Sequence, residues 1–369
     1  MTQQKTLTDL AEHIDTWGRE LGFQQIGIAK ADVSSEQERL DAWLAAGHHG
    51  SMLWMETHKD LRINPQKLLP GTTRVISARM DYLPPETQQI AILKSPEKAY
   101  ISRYALGRDY HKLIRKRLAI LAANIEAYCK EHASDLTLTQ RPFVDSAPVM
   151  ERPLAESAGL GWVGKHTLLI NEHAGSWFFL GEIYTNVPLP TAEHKQKNRC
   201  GDCKACLKVC PTDAFPSPYQ LDARRCISYL TVEHKGAIAE EFREAMGNRV
   251  FGCDDCQAIC PWNKFASATC EDDFKPRHGL ESSELITLFL WTEEEFLQKT
   301  AGSPIRRIGF ERWLRNLSIG LGNAPTSPSI IDALKTRLKT ADGFLKEHFS
   351  WALLRQQSPS TKRKRKIKR

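Results

Sequence analysis

The sequence has no run of 18 apolar residues, so a membrane-spanning helix is excluded. Its first residues, MTQQKTLTDLAEHIDTW, lack the apolar stretch of a secretory signal, and a cytoplasmic protein is expected. Cysteine is almost missing outside one segment: of ten cysteines, only Cys129 and Cys270 lie outside Cys200 to Cys260. Cysteines packed this way in a chain of 369 residues argue for metal rather than a secreted disulfide framework. Acid is missing from the last ten residues, which carry seven of the 51 Lys and Arg. Without those seven, 44 basic residues balance 44 acidic ones. The net charge of +7 therefore resides in a basic tail over 358–369, which the composition predicts to be disordered.

What is present reads as two or three domains. Residues 1–190 alternate helical and β-rich patterns. Leu10, Ile14, Trp17 and Leu21 recur at helical spacing, and short strands are expected near Gly22–Lys30, Thr73–Ala78 and Trp177–Ile183. An amphipathic helix over Leu113–Tyr128 aligns Leu118, Leu121, Ile125 and Tyr128. Alternation of this kind predicts an α/β domain. Residues 191–275 hold the cysteine block. Residues 276–357 turn helical, with Phe310, Leu314, Leu317 and Leu321 on one face and Arg312, Arg315 and Asn316 on another. Two short helical segments follow, which suggests a small helical-repeat module.

The cysteine block carries the most specific signal. Cys200-x2-Cys203-x2-Cys206-x3-Cys210-Pro211 has the spacing of bacterial [4Fe–4S] ferredoxins. Cys226 and Cys253-x2-Cys256-x3-Cys260-Pro261 form a second set, with its first cysteine displaced upstream. In such pairs the cysteine before proline serves the other cluster. The expected sets are thus Cys200, Cys203, Cys206 and Cys260 for one cluster, and Cys210, Cys226, Cys253 and Cys256 for the other. A structural zinc site is the competing reading, but zinc prefers paired CxxC knuckles. Two clusters imply a one-electron relay, so the rest of the chain is expected to hold the acceptor. Cys129 is expected to be a buried thiol.

Several motifs together resemble epoxyqueuosine reductases: Ser102–His111 (SRYALGRDYH), Pro142–Arg152 (PFVDSAPVMER), Ala158–Leu168 (AGLGWVGKHTL), the double-cluster block, and Ile305–Asn316 (IRRIGFERWLRN). The resemblance runs from about residue 5 to 357. It implies a cobalamin-binding α/β domain like that of reductive dehalogenases, a ferredoxin-like two-cluster insert and a C-terminal α-helical, HEAT-like repeat module. The implied activity is reduction of epoxyqueuosine to queuosine at the wobble position of tRNA, with two [4Fe–4S] clusters and cobalamin. Asp145 takes the position of the family's proton donor. Arg62, Tyr104, Asp145, Lys165, Ile170 and Ser228 take positions of cobalamin contacts. An external one-electron donor of flavodoxin or ferredoxin type, a monomeric state and no membrane partner are expected.

The residues themselves leave alternatives beside these roles. By its context, before Ser146-Ala147-Pro148, Asp145 reads as a helix cap or turn residue. As a proton donor it would serve a step that breaks a C–O bond. Asp109-Tyr110-His111 begins the D-x-H-x-x-G pattern of cobalt-ligating proteins, but the glycine is absent; His111 is expected to pack or hydrogen-bond. Gly159-x-Gly161-x-x-Gly164 matches a dinucleotide loop without the preceding strand that loop needs. Arg306, Arg307, Arg312, Arg315 and Lys335 make the candidate tRNA face: residues 301–357 hold nine Lys/Arg against four Asp/Glu. A small-molecule corrinoid iron–sulfur reductase is the alternative enzyme, and it would leave the arginine-rich helices without a role. An electron carrier or RNA-binding protein without chemistry of its own is the alternative from another class.

Overall fold

The computed structural model describes residues 3–85, 88–192 and 196–358. The basic tail therefore lies outside the described residues, apart from Ser358. A four-stranded antiparallel sheet organises the first half, in the order Gln25–Lys30, Arg74–Asp81, Phe178–Thr185, Gln140–Phe143. Successive side chains point to opposite faces of a strand. Accordingly Ile76, Ala78, Met80, Phe179 and Ile183 share one core with the helices Gln3–Glu20 and Tyr110–His132. Val75, Phe143 and Tyr184 pack on the other face with Leu154 of the helix Glu151–Ser157. The helix Tyr110–His132 lies so close to the sheet that a Cβ on Gly181 would stand 2.8 Å from Leu118.

That helix starts before Leu113 because Asp109 caps it, its carboxylate accepting the His111 amide at 3.1 Å. The cap thereby fixes His111 in the first turn, facing inward with 6% exposure. Gly159, Gly161 and Gly164 follow the helix Glu151–Ser157 and enter a two-stranded hairpin, Trp162–Val163 with Leu169–Ile170. Their setting is not the strand–turn–helix of a dinucleotide loop.

A short parallel pairing of Tyr100–Ile101 with Arg249–Phe251 ties the first half to the cysteine block. The C-terminal helices Leu285–Phe289, Glu293–Lys299, Gly309–Asn323, Pro328–Leu338 and Gly343–Gln357 follow. Their core is continuous with Ala99, Ile101, Ala105, Leu106, Val250 and Phe251. The helical segment is thus built onto the body rather than tethered to it.

Helix Gly309–Asn323 is enclosed on more sides than its pattern suggests, since every residue from Trp313 to Gly322 is buried. This corrects the assignment of Arg315 to a tRNA face. Its guanidinium donates to the carbonyls of Leu230, His234 and Gly236 at 2.7–2.8 Å and to Asn316 Oδ1. Burial and the nearby Arg312 push its pKa down to about 9. Arg312 is half-buried and spent likewise, on the carbonyls of Val232, Arg307 and Ile308. Five donors in a planar fork make arginine a good clamp for loop carbonyls. Arg306 and Arg307 remain exposed.

Candidate active site and cluster cavities

The eight block cysteines surround two cavities. Cys200, Cys203, Cys206 and Cys260 line one, with Lys165, His166, Ile170 and Trp262. Cys210, Cys226, Cys253 and Cys256 line the other, with Phe215 and Asp255. The chain crosses over because each CxxC segment turns into a short helix, Ala205–Val209 or Asp255–Ala258, and leaves through Cys-Pro. Burial, with Cys260, Cys200 and Cys203 beside it, pushes the Cys206 thiol up to about 11. Burial, then Cys226 and Cys210, raises the Cys256 thiol well above the ordinary thiol range. Such thiols become thiolates when iron binds them. Among the described residues, no three His, Cys, Asp or Glu side chains converge to hold a single metal ion. Four cysteines ringed about a space fit a cubane better than one zinc.

Asp145 lies between the strand Gln140–Phe143 and the helix Glu151–Ser157, at φ +46°. This left-handed backbone is uncommon for a residue other than glycine. The helix has Met150 at its cap position and no side-chain cap, so Asp145 is not a helix cap. Its Oδ2 accepts the Tyr110 hydroxyl at 2.5 Å and stands 3.0 Å from His111 Nε2. Its amide donates to Glu151 Oε1 at 2.6 Å. The carboxylate is still 52% exposed.

The other side of His111 is equally defined. Its Nδ1 lies 2.7 Å from Asp109 Oδ1, and Asp109 Oδ2 pairs with Arg307 at 2.9 Å. Burial works against the imidazolium, but the Asp109 and Asp145 hydrogen bonds outweigh it and raise the His111 pKa. For Asp145, burial favours the neutral acid; His111 and Tyr110 outweigh it and hold the carboxyl below its usual range. Asp109, His111 and Asp145 thus form one hydrogen-bonded row, with Arg307 Nη1 also 3.3 Å from His111 Nε2. Beneath the loop the order reverses: burial, aided by the Asp145 charge, lifts Glu151 to about 7. Burial and Glu151 lift Glu182 well above the carboxylate range.

Tyr110 is itself fixed by stacking on Phe179, with ring centroids 3.9 Å apart. Tyr104 meets Tyr110 edge-on at 6.1 Å and lies 6.1 Å from Phe251. Phe251 leads through Gly252 to Cys253 of the second cavity. Buried Asp254 locks this junction, accepting from Tyr100 at 2.7 Å, from Ser102, and from the Arg103 amide at 2.8 Å.

The expected cobalamin contacts divide between two places. Arg62, 7% exposed, donates to the Val149 carbonyl of the Asp145 loop at 3.3 Å, while its Nε has no partner among the described residues. With Tyr104 and Asp145 it belongs to the active-site neighbourhood. A corrin rimmed with amides finds there an orphaned donor and a half-exposed acceptor, so these residues fit it. Lys165 and Ile170 line the first cysteine cavity instead, and Lys165 Nζ donates to the Gly201 and Cys203 carbonyls. Ser228 is half-buried on the helix Ile227–Val232, beside Cys226. Sequence reasoning missed Tyr110, Glu151, Glu182 and Asp254. Only the adjacency of Asp109, Tyr110 and His111 signalled anything.

Two four-cysteine cavities joined to a hydrogen-bonded acidic site define a redox enzyme with an internal iron–sulfur relay. Residues 199–263 match the 4Fe-4S double cluster binding domain, and residues 62–146 match epoxyqueuosine reductase QueG, DUF1730. The epoxyqueuosine reductase of Pseudomonas aeruginosa is 57% identical over 346 residues, 94% of each chain. That of Escherichia coli is 54% identical over 356 residues, 96% of this chain and 92% of its own. A crystal structure of epoxyqueuosine reductase with an epoxyqueuosine-modified tRNA-Tyr stem loop superposes with a TM-score of 0.84 at 27% identity. It covers 95% of this chain and 91% of its own. The Bacillus subtilis enzyme, with its catalytic-loop aspartate swung out of the active site, gives the same values. The chain belongs to the epoxyqueuosine reductase family.

Proposed function

We propose that this chain reduces epoxyqueuosine at the wobble position of tRNA to queuosine, with Asp145 delivering the proton to the epoxide oxygen. The observation that carries this reading is the half-exposed Asp145 carboxylate, held by Tyr110 and His111 in the same body as two four-cysteine cavities. Family membership supports the reaction. A relative solved with a modified tRNA stem loop supports the substrate, and one with a mobile catalytic aspartate supports the role of Asp145.

Removing the epoxide oxygen takes two electrons and two protons and gives a carbon–carbon double bond and water. Cys200, Cys203, Cys206 and Cys260 hold one [4Fe–4S] cluster, and Cys210, Cys226, Cys253 and Cys256 the other. Arg62, Tyr104 and Asp145 would hold cobalamin, which would supply the strongly reducing centre. The neighbouring group from which Asp145 draws its proton is His111, whose Nε2 stands 3.0 Å from Asp145 Oδ2. His111 hands it to Asp145 as negative charge grows on the substrate oxygen, and Asp145 passes it on; the second proton, with which the oxygen leaves as water, comes from solvent through the same half-exposed carboxylate. Tyr110 keeps the carboxylate in its rotamer. Exposed Arg306 and Arg307 contact tRNA phosphates, an external one-electron carrier feeds the clusters, and the enzyme works as a cytoplasmic monomer.

The test is mass analysis of nucleosides from epoxyqueuosine-containing tRNA incubated with the cluster-loaded protein, cobalamin and reductant. Conversion to queuosine is expected. Unchanged epoxyqueuosine with both clusters and cobalamin bound overturns the reading.

A further inference from the structure

We propose that the face over the first cysteine cavity docks an acidic protein that carries one electron, and that electrons enter there; this rests on the relay described under the proposed function. Cys203 is the one exposed thiol among the eight block cysteines. Electron transfer weakens steeply with distance, so the cluster with a ligand at the surface is the one an outside carrier can reach. The second cavity lies at the other end of the path. Its Cys253 follows Gly252, where an added Cβ would stand 2.5 Å from Ser102 and 3.5 Å from Tyr104, and Tyr104 meets Tyr110 of the active site.

The surface around Cys203 has a marked charge. Lys197, Arg199, Lys204, Lys208 and Lys264 are all exposed. Among the described residues of these segments, Asp202 and Glu172 stand against these five, the latter paired with Arg199 at 2.9 Å, which leaves an excess of three positive charges. Two apolar side chains lie in the same segment on either side of Cys260: Ile259 is 46% exposed and Phe265 45%. An apolar centre within a charged rim is the make-up of a protein interface. The rim's sign selects an acidic partner and speeds its encounter. RNA phosphates would use the charges but leave Ile259 and Phe265 without a role. In the docked pair one electron passes from the reduced carrier to the first cluster; the carrier is oxidised, the cluster reduced, and no proton moves.

The test mixes anaerobic holoenzyme with a reduced acidic flavodoxin and follows cluster bleaching by stopped flow, with dithionite as the parallel donor. In Lys204→Glu/Lys208→Glu the bimolecular rate from flavodoxin should fall about tenfold or more at low salt. The gap should narrow as salt screens the charges. Iron content, the dithionite rate and tRNA affinity should stay as in wild type. Should this variant lose iron, Lys197→Glu/Lys264→Glu makes the same comparison outside the CxxC loop. Wild-type flavodoxin rates in a loaded variant overturn the docking site, as does no flavodoxin reduction of a protein that dithionite reduces. An equal loss of tRNA affinity also overturns it and makes the face an RNA interface. Dithionite-driven conversion of epoxyqueuosine is scored separately; its absence strikes the family reaction, not the docking face.

Discussion

Replacing Arg315 separates a structural clamp from a phosphate contact. Arg315→Ala orphans the buried carbonyl of Leu230, removes a donor from the part-buried carbonyls of His234 and Gly236, and frees Asn316 Oδ1. Each buried acceptor left without a donor costs about 1–3 kcal/mol. One buried acceptor at that cost, with two more that water can reach and that lose less, gives about 2–4 kcal/mol. That is a large share of the about 5–15 kcal/mol that holds a typical domain together. Arg315→Lys keeps a charge but serves fewer carbonyls, and should lose about half as much. Exposed Arg306, bonded to the Leu297 carbonyl alone, should change stability by under about 0.5 kcal/mol on truncation. Urea denaturation followed by the fluorescence of Trp313 and Trp351 reads all three. Wild-type stability in Arg315→Ala, with weakened tRNA binding, would refute the clamp and restore Arg315 to the RNA face.

Three further outcomes follow from the site. Cys260→Ala should damage the cluster of Cys200, Cys203 and Cys206 and spare the other, which iron counting and electron paramagnetic resonance would show; selective loss of the Cys253 and Cys256 cluster would refute the crossed sets. Asp145→Asn should retain clusters, cobalamin and tRNA while single-turnover conversion falls by about 10²–10⁴-fold, the usual loss with a general acid; near-normal turnover removes Asp145 from the chemistry. Glu151, lifted to about 7 by burial and by Asp145, contributes stability in full below about 4.5 that is lost as pH rises through 7. Glu182, raised by burial and by Glu151, loses its contribution in the same direction, so Glu182→Gln, which removes that carboxyl, should make the fall in stability above pH 5 shallower in denaturation curves; an unchanged slope would show that Glu182 does not titrate there.

The legible part of the sequence was the part written in spacing. Four cysteines at short intervals before a proline constrain a chain locally, and both expected quartets surround common cavities. The β-rich run Thr73–Ala78 and the apolar run Trp177–Ile183 became neighbouring strands for the same local reason. Arg315 was misread because amphipathic spacing says which residues share a face, not whether another segment covers that face. Carbonyls some 80 residues away cover it. The row Asp109–His111–Asp145 was hidden likewise. A helix cap, a first-turn histidine and a loop 34 residues further on meet only after the sheet has formed. Nothing in the run Trp177–Ile183 marks Glu182, whose burial follows from the helix Glu151–Ser157 laid over that face of the sheet.

Arg307 joins the two ends of this enzyme, and that gives its replacement a double signature. It is exposed on the candidate RNA side, yet its guanidinium bonds Asp109, which bonds His111, which bonds Asp145. Its positive charge lowers the His111 pKa and helps hold Asp109 at about 2. Removing it leaves His111 between two aspartates with less opposing charge, so the imidazolium should persist to higher pH. If His111 supplies the proton, turnover declines as pH rises through its raised pKa, and Arg307→Ala should move that basic limb upward. The same variant should weaken tRNA binding and flatten its salt dependence by about one phosphate contact. Arg306→Ala, next in sequence but bonded to a helix carbonyl, should show the binding loss alone. Single-turnover pH profiles with saturating tRNA remove the affinity difference and isolate the proton effect. A basic limb that stays in place in Arg307→Ala would cut the chain of reasoning at His111 and leave Asp145 to draw its proton from solvent.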